Sequence, residues 1–134
     1  MKREGYKLIG TGYNASPGLK AEGIARNATA PKHVIAIMAD PEKLKRTILV
    51  VPSGTSSFVA PALPLAAGII TYAGTPESHL GIVGREFGLP IIMTLKLEEG
   101  NSIPDGTPLF MDCTEKVGHA YAKMGPSDIP AVLT

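Results

Sequence analysis

The 134 residues include 13 Lys and Arg against 12 Asp and Glu, a formal net charge of +1, and 44% are hydrophobic. A near-neutral chain of this kind has no broad basic surface, so we expect neither nucleic acid nor a membrane as a partner. The single cysteine, Cys113, cannot form an internal disulfide, and no apolar run reaches the roughly 18 residues that span a bilayer. We therefore expect a cytoplasmic protein folded as one domain over residues 1–134.

The predicted elements begin with Tyr6 to Ala15, a stretch rich in glycine and polar residues that we interpret as an ordered entry loop. The turn signal Ser16-Pro17-Gly18 follows, and Leu19 to Ala28 predicts an early strand. Short β-type runs bounded by Gly, Pro, Asp or Ser predict six further strands. These runs are His33 to Met38, Thr47 to Val51, Gly68 to Tyr72, Leu89 to Thr94, Thr107 to Asp112 and Val117 to Ala122.

Two stretches predict helices, and Pro76 to Phe87 has the better start and stop signals. Thr75 fits the N-cap, Pro76 fits the first helical position, and Gly88 ends the helix. The pattern therefore predicts that His79 lies in the first helical turn.

The other predicted helix, Ser57 to Ala67, contains Pro61 and Pro64, which limit its regularity. Strands and helices alternate through the middle of the chain, which indicates a parallel sheet segment, whereas the flanking strands suit a second β layer. Near the C-terminus, Ile103 to Gly106 is a strong turn signal that would open the last hairpin. The predicted fold class is α/β, a single layered β/β/α domain.

His79 is the main candidate functional residue. A neutral imidazole nitrogen is a good nucleophile near pH 7, and a helix N-terminus stabilises negative charge. Gly74 permits a tight turn, while Thr75 and Ser78 add hydroxyls, so these residues could form a receptor of phosphate size. The same residues could equally form an ordinary helix start in which Thr75 and Ser78 act as caps and His79 is solvated. Local sequence does not decide between the two interpretations.

Two glycines inside this helix, Gly81 and Gly84, each cost about 1 kcal/mol relative to alanine. We expect close packing against the sheet or the other helix to compensate. The alternative is a small face beside His79 that lets a partner approach the ring.

Arg85 lies six positions after His79 and therefore on a different side of the helix. We expect it to contact a docking partner or to pair with Glu86 or Asp105, rather than to bind the same phosphate.

Other kinds of site have weaker support. His33, His79 and His119 lack the spacing of paired metal ligands, so we predict no metal site. Cys113 shows no sign of activation, and we expect a buried or half-buried thiol. The chain also lacks a Walker-type nucleotide-binding loop.

A second hydroxyl-rich loop, Val51 to Ser57, follows a predicted strand. Its backbone N–H groups could bind an anion. Alternatively, Ser56 or Ser57 could simply cap the helix that follows.

The segment from Gly74 to His79, with Arg85, resembles the active segment of the swivelling phosphohistidine domain of phosphoenolpyruvate-utilising enzymes. This family includes pyruvate phosphate dikinase, phosphoenolpyruvate synthase and the first enzyme of the sugar phosphotransferase system. The resemblance covers nearly the whole chain. The other family-like segments are Ala15 to Gly18 with Gly23, Ile48 to Val50, Pro61 to Leu63, Ala67 to Thr71, Gly88 to Pro90 and Pro104 to Gly106.

The resemblance implies that His79 takes a phosphoryl group from one active site and delivers it to another while the domain swings between them. It implies that Gly74, Thr75, Glu77 and Ser78 bind or position that group. Two residues depart from the family pattern: Thr75 replaces a glycine and Glu77 replaces a threonine. A carboxylate at Glu77 would repel a phosphohistidine unless turned away, or it could orient the imidazole.

Relatives in this family join the swivelling domain to nucleotide-binding and substrate-binding domains. The resemblance therefore implies a stand-alone carrier subunit of a phosphotransferase that is not active alone and binds no cofactor itself. Mg-ATP or phosphoenolpyruvate would bind to partner chains: an ATP-grasp-like nucleotide-binding subunit and a substrate-binding subunit. Two alternatives remain: a non-transferring swivelling subunit of an aconitase-like dehydratase, with Ser53 to Ser57 facing the active site, and a regulatory domain in which Glu77 has ended phosphorylation.

Overall fold

The computed structural model describes residues 5–16, 18–75 and 77–123. Strands make up most of the regular structure in these ranges. They are β1 (Tyr6–Asn14), β2 (Leu19–Asn27), β3 (Thr47–Val51), β4 (Gly68–Thr71), β5 (Ile91–Leu97), β6 (Pro108–Cys113) and β7 (Val117–Lys123).

Helical structure is found between the strands in the middle of the chain. Within residues 5–16, 18–75 and 77–123, no helix has both the length and the hydropathy needed to cross a membrane. The helical elements are α1 (Pro31–Met38), α2 (Pro41–Leu44), a 3₁₀ segment (Ser57–Ala62) and α3 (His79–Glu86).

The strands form one closed sheet in the order β1-β5-β4-β3-β2-β6-β7, with β7 pairing back onto β1. Strands β2, β3, β4 and β5 pair with one another in parallel. Strands β1, β6 and β7 form the antiparallel part, which also pairs with the edges of the parallel part. The helices cover the parallel strands, as expected for parallel connections. The layers are therefore antiparallel strands, parallel strands and helices, and the predicted fold class is confirmed.

Alternation along β3 divides the hydrophobic core into two clusters, and all five residues of this strand are buried. Ile48 and Val50 belong to the cluster enclosed by the strands, whereas Leu49 and Val51 belong to the cluster shared with the helices. Leu80 of α3 is fully buried in the second cluster. Burial of such a side chain contributes about 1.5–3 kcal/mol, so Leu80 anchors the start of α3 on the sheet.

Most of the predicted strands are confirmed. The predictions at Leu19 to Ala28 and from Thr47 onward match β2 to β7, with ends that differ by at most three residues. The predicted turn at Ile103 to Gly106 is also present, since the Thr107 N–H donates to the Pro104 carbonyl at 3.3 Å.

The interpretation of Tyr6 to Ala15 as a loop is wrong, because this stretch forms β1 and pairs with both β5 and β7. Its glycines are required by close approach of the neighbouring backbone. A Cβ at Gly10 would lie 2.8 Å from the Lys96 carbonyl oxygen, and one at Gly12 would lie 2.5 Å from that of Met93. Glycine inside a strand marks such contacts as well as loops.

The prediction of a strand at His33 to Met38 is wrong, because these residues lie in α1. Pro31 occupies the start of this helix. Val34 is buried and Ile37 partly buried against the helix-side cluster, whereas Ile35 is exposed. This three-residue spacing is helical, but a short apolar run does not distinguish a helix from a strand.

The helix predicted at Ser57 to Ala67 is shorter and tighter than expected, a 3₁₀ segment that ends at Ala62. Pro61 lies inside it. Proline has no N–H to donate and its ring disfavours a regular α-helix, which accounts for the difference.

Cys113 has a fully buried thiol, and burial raises its pKa from 9.0 to about 12. In the unfolded chain the thiol ionises near its ordinary pKa, so alkaline pH favours unfolding. The contribution of this thiol to the free energy of unfolding should therefore fall as the pH rises between these two pKa values, by roughly 1 kcal/mol per pH unit. We expect the difference in unfolding free energy between wild type and Cys113→Ala, measured by urea denaturation, to shrink from about pH 9 to about pH 11. A constant difference would contradict the raised pKa.

Candidate functional site

Two loops leave the sheet at the same edge, because β3 and β4 are parallel neighbours. We call residues 52–56 the serine loop and residues 72–78 the histidine loop. Each begins where its strand ends. The carboxyl ends of parallel strands are a frequent location of functional loops, and helix α3 begins directly after the histidine loop.

Gly54 and Gly74 bring the two loops into contact. The Gly54 N–H donates to the Ala73 carbonyl at 2.9 Å. Gly74 has a φ of 112°, and a Cβ there would lie 2.8 Å from the Gly54 nitrogen. Backbone conformation and lack of space therefore both require glycine at position 74. The conformational freedom predicted for Gly74 is used, but the hydrogen-bonded turn itself runs from Thr75 to Ser78.

Ser78 closes the histidine loop. Its N–H and its Oγ both donate to the Thr75 carbonyl, at 2.9 and 2.6 Å, and its Oγ lies 3.8 Å from the Met93 Sδ. The hydroxyl therefore does not cap the helix, although Ser78 occupies the N-cap position. The first bond of α3 runs from the Ile82 N–H to the Ser78 carbonyl at 3.1 Å.

The prediction that Thr75 is the N-cap is wrong. The turn that ends in Ser78 uses the Thr75 carbonyl as its acceptor, and this delays the start of the helix to His79. Pro76, the predicted first helical residue, lies outside the described residues.

The serine loop fixes the first turn of α3 through one backbone bond. The first N–H groups of a helix have no partner inside it. Here the Leu80 N–H donates to the Gly54 carbonyl at 2.9 Å. Together with the buried Leu80 side chain, this bond determines where the residue before it presents its imidazole.

His79 is the first residue of α3 and lies in the first turn, as predicted. Its side chain is exposed, and its ring makes no hydrogen bond or ion pair to any residue in the described ranges. Thr75 and Glu77 are exposed as well, whereas Gly74 and Ser78 are partly covered. Three of the predicted site residues, His79, Thr75 and Glu77, are therefore accessible. Two others, Gly74 and Ser78, hold the histidine loop in shape.

Thr94 of β5 supports the histidine loop, and sequence reasoning missed it. Its hydroxyl donates to the Gly74 carbonyl, and its N–H donates to the Thr71 Oγ1 at 3.4 Å. Thr94 has a φ of 53°, which is rare for a β-branched residue. Such conformations persist only where the surroundings enforce them. The sequence carries no local signal for this contact, because it joins residues on different elements.

Gly84 packs α3 on the sheet. A Cβ at this position would lie 2.3 Å from the Ile91 Cδ1. The predicted close packing is therefore confirmed for Gly84, and Gly81 is also buried.

Arg85 is exposed in the last turn of α3. The predicted pairing with Glu86 or Asp105 is not found among the ion pairs of the described residues. Asp105 instead accepts hydrogen bonds from the Asn27 N–H at 2.6 Å and from the Asn27 side chain at 2.8 Å. The Asn27 N–H lowers the pKa of Asp105.

The serine loop places two hydroxyls close together. Ser53 Oγ and Thr55 Oγ1 are 3.1 Å apart, and the Thr55 N–H donates to the Ser53 Oγ at 3.2 Å. The predicted capping role of Ser56 is wrong, because Ser56 precedes the 3₁₀ segment without a side-chain capping bond. Anion binding by this loop stays a prediction.

Metal ligands do not cluster in the part of the chain that the structure describes, where no three His, Cys, Asp or Glu side chains could hold one ion. His33 illustrates this separation, since its Nδ1 accepts from the Thr29 N–H at 3.1 Å on the α1 side of the molecule.

Comparison with known proteins gives a family match and several relatives. Residues 44–116, which include both loops and α3, match the family described as PEP-utilising enzyme, mobile domain. The probable phosphoenolpyruvate synthase of Pyrococcus abyssi is 34% identical over 107 residues, covering 75% of this chain and 12% of that protein. The pyruvate kinase of Geobacillus stearothermophilus is 34% identical over 99 residues, covering 72% and 15%. The chain thus spans 12% to 15% of the length of these relatives.

A solved structure shares the fold. Aconitase X of Thermococcus kodakaraensis, in its holo form, superimposes with a TM-score of 0.51 and 18% identity, covering 84% of this chain and 96% of that one. At this identity the likeness concerns the fold alone.

Proposed function

We propose that this chain, which belongs to the family of the mobile domain of PEP-utilising enzymes, is a phosphoryl carrier that is transiently phosphorylated on His79. The observation that supports this most directly is an exposed imidazole on the first residue of a helix whose start is fixed by the Leu80–Gly54 bond. The phosphoryl group would move between a nucleotide-binding, ATP-grasp-like partner and a phosphoenolpyruvate, pyruvate or other acceptor site. Because the chain spans only 12% of a relative named phosphoenolpyruvate synthase, we assign the nucleotide and substrate sites to partner polypeptides or domains.

The transfer needs one nucleophilic nitrogen. The lone pair of a neutral His79 ring nitrogen forms the P–N bond while the P–O bond to the donor's leaving oxygen breaks, and the second ring nitrogen keeps its proton. Attack by the acceptor oxygen then breaks the P–N bond and restores the neutral ring. The donor is a nucleoside triphosphate or phosphoenolpyruvate held with Mg²⁺ by the partner. While the phosphoryl group is bound to the ring, the N-terminus of α3 stabilises its negative charge.

The remaining site residues have separate roles in this proposal. Gly74 and Ser78 hold the histidine loop in shape through the contacts described above. Thr75 has an exposed side chain from which its hydroxyl can donate to a phosphoryl oxygen. Arg85, exposed on another side of the helix, would contact the docking partner.

The proposal is tested by labelling the wild-type chain. Incubation with radiolabelled ATP or phosphoenolpyruvate and a candidate nucleotide-binding partner should give an acid-labile, alkali-stable label. Phosphoramidate, a small reagent that phosphorylates imidazole, should give the same product without a partner. Mass spectrometry of an alkaline digest should locate the phosphoryl group on His79. No label with any partner, or a label on His33 or His119 instead, would overturn the proposal.

Removing the charge of Glu77 should change the labelling rate by a moderate factor. Its carboxylate is exposed two residues before His79 and repels both the donor phosphate and the phosphorylated ring. We expect Glu77→Gln to raise the phosphoramidate labelling rate by about twofold to fivefold at low ionic strength, with the difference lost at high salt. Glu86→Gln, exposed in the last turn of α3, is the matched control and should change the rate much less. A slower Glu77→Gln variant would mean that this carboxylate orients the imidazole.

A second candidate is a non-transferring swivelling subunit of an aconitase-like dehydratase. The observation that favours it is the pair of Ser53 and Thr55 hydroxyls on the serine loop, at the same edge of the sheet as His79. The two candidates separate by substitution. Loss of partner activity with Ser53→Ala but not with His79→Ala would favour the dehydratase subunit.

A further inference from the structure

A second concave site lies beside β2 and the connection from α2 to β3. It is a cavity of about 360 Å³. Its lining residues are Ile24, Arg26, Asp40, Lys43, Arg46 and Thr47.

This cavity is far from His79. It is lined by Thr47, the first residue of β3, which pairs with Ile24 of β2. The serine loop leaves from the other end of β3, and a five-residue strand is roughly 16 Å long. The cavity therefore lies at the amino edge of the parallel strands, opposite the edge that carries both loops.

Positive charge predominates in the lining. Arg26, Lys43 and Arg46 contribute three cations, against one carboxylate from Asp40. That carboxylate accepts the Lys43 N–H at 3.2 Å as the N-cap of α2. None of the three cations forms an ion pair with another residue in the described ranges. A chain of net charge +1 thus concentrates positive charge around one recess.

Arg26 also has an unsatisfied donor. Its Nε is buried and has no hydrogen-bond partner among the described residues. The positive charge of Arg26 adds to the effect of the Asn27 N–H in lowering the pKa of Asp105, but that carboxylate already accepts two hydrogen bonds from Asn27. A buried donor without a partner costs free energy, so Arg26 carries hydrogen-bonding capacity that the described residues do not use.

We propose that the cavity binds a small polyanion, a phosphate-bearing small molecule with at least two negative charges. Guanidinium groups match phosphate oxygens in geometry and bind them by charge-assisted hydrogen bonds. The volume lies at the lower end of the range typical of small-ligand pockets, about 300–1,000 Å³, which suits a compact ligand. The Thr47 hydroxyl donates to the Lys43 carbonyl at 2.8 Å, so recognition depends on Arg26, Lys43 and Arg46. This site is independent of the proposed phosphorylation of His79.

The test uses inorganic pyrophosphate as the probe and the His79→Ala chain as the protein, so that binding near the histidine loop is not mistaken for binding here. In a ¹H–¹⁵N NMR titration, amide shifts should change at Ile24 and at residues 43–47, and not at residues 74–81. Arg46→Gln should weaken binding by about tenfold. Arg26→Gln should have a similar effect, with thermal unfolding checked. Because Arg46 is exposed, Arg46→Gln should still fold if Arg26→Gln does not, and it then tests the proposal by itself.

Lys45→Gln is the matched control, because Lys45 is an exposed neighbour that pairs with Glu42 at 3.3 Å and does not line the cavity. It should change the affinity by less than about twofold. The absence of shifts up to about 10 mM pyrophosphate would overturn the proposal. Equal weakening by Lys45→Gln would overturn it as well, since it would indicate diffuse attraction. Preference for a di-glutamate peptide over pyrophosphate would instead assign the cavity to an acidic protein segment.

Discussion

Replacing His79 by alanine is expected to abolish phosphorylation of the chain, with labelling at least about 100-fold lower than in wild type. The reason is that neither of the other histidines has an equivalent environment. His33 is half-buried and its Nδ1 accepts the Thr29 N–H, whereas His119 is half-buried with its Nδ1 enclosed. Labelling by phosphoramidate, followed by phosphate release in acid and in alkali, measures the effect.

Matched variants show whether the loss is chemical. His33→Ala and His119→Ala should keep most of the label. His79→Gln preserves a polar side chain but offers no nucleophilic ring nitrogen, so it should also lose the label. Because the His79 side chain is exposed, both substitutions there should change the unfolding free energy by no more than about 0.5 kcal/mol. Label that survives acid would indicate a hydroxyl such as that of Thr75 and would contradict the histidine assignment.

Local signals accounted for the elements that carry this histidine. Short apolar runs bounded by turn residues predicted β3 and β4. The residues around His79 also predicted that it lies in the first turn of α3, although the residue that precedes the helix is Ser78 and not Thr75. Other elements depend on contacts that a local pattern does not contain. The glycines of β1 are explained only by the neighbouring backbone, which leaves no space for a Cβ at Gly10 or Gly12.

The same distinction holds inside the site. His79, Gly74 and Ser78 could be identified from residues close to one another in sequence. The role of Gly54 could not, because its contact with the histidine loop exists only when β3 and β4 lie side by side in parallel. Thr94 was missed for the same reason, since its partner Gly74 belongs to a loop that follows a different strand.

Gly54→Ala is the most informative test of this contact between the loops. A Cβ at Gly54 would lie 2.1 Å from the Ser78 Oγ and 2.6 Å from the Met93 Cε. The methionine terminus can move, but Ser78 is held by its bonds to the Thr75 carbonyl. The clash is relieved only if the Ser78 side chain rotates or if the Gly54 carbonyl moves away from the Leu80 N–H. Both changes loosen the start of α3.

We therefore expect Gly54→Ala to lower the unfolding free energy by about 1–3 kcal/mol and the labelling rate of His79 by about tenfold. Urea denaturation and phosphoramidate labelling measure the two effects. Gly84→Ala is the control, because its Cβ would meet the core side chains of Ile91 and Ile69 and not the loop contact that holds the start of α3. It should reduce stability without slowing the labelling of folded molecules.

A double variant identifies the cause. Ser78→Gly removes the two Ser78 atoms that an alanine at position 54 would contact and leaves only the movable end of Met93, at the cost of about 1 kcal/mol for the lost bond to Thr75. If the clash is responsible, the two substitutions together should cost at least about 1 kcal/mol less than the sum of their separate effects. Strict additivity, or a Gly54→Ala chain that is labelled as fast as wild type, would mean that the serine loop does not position His79.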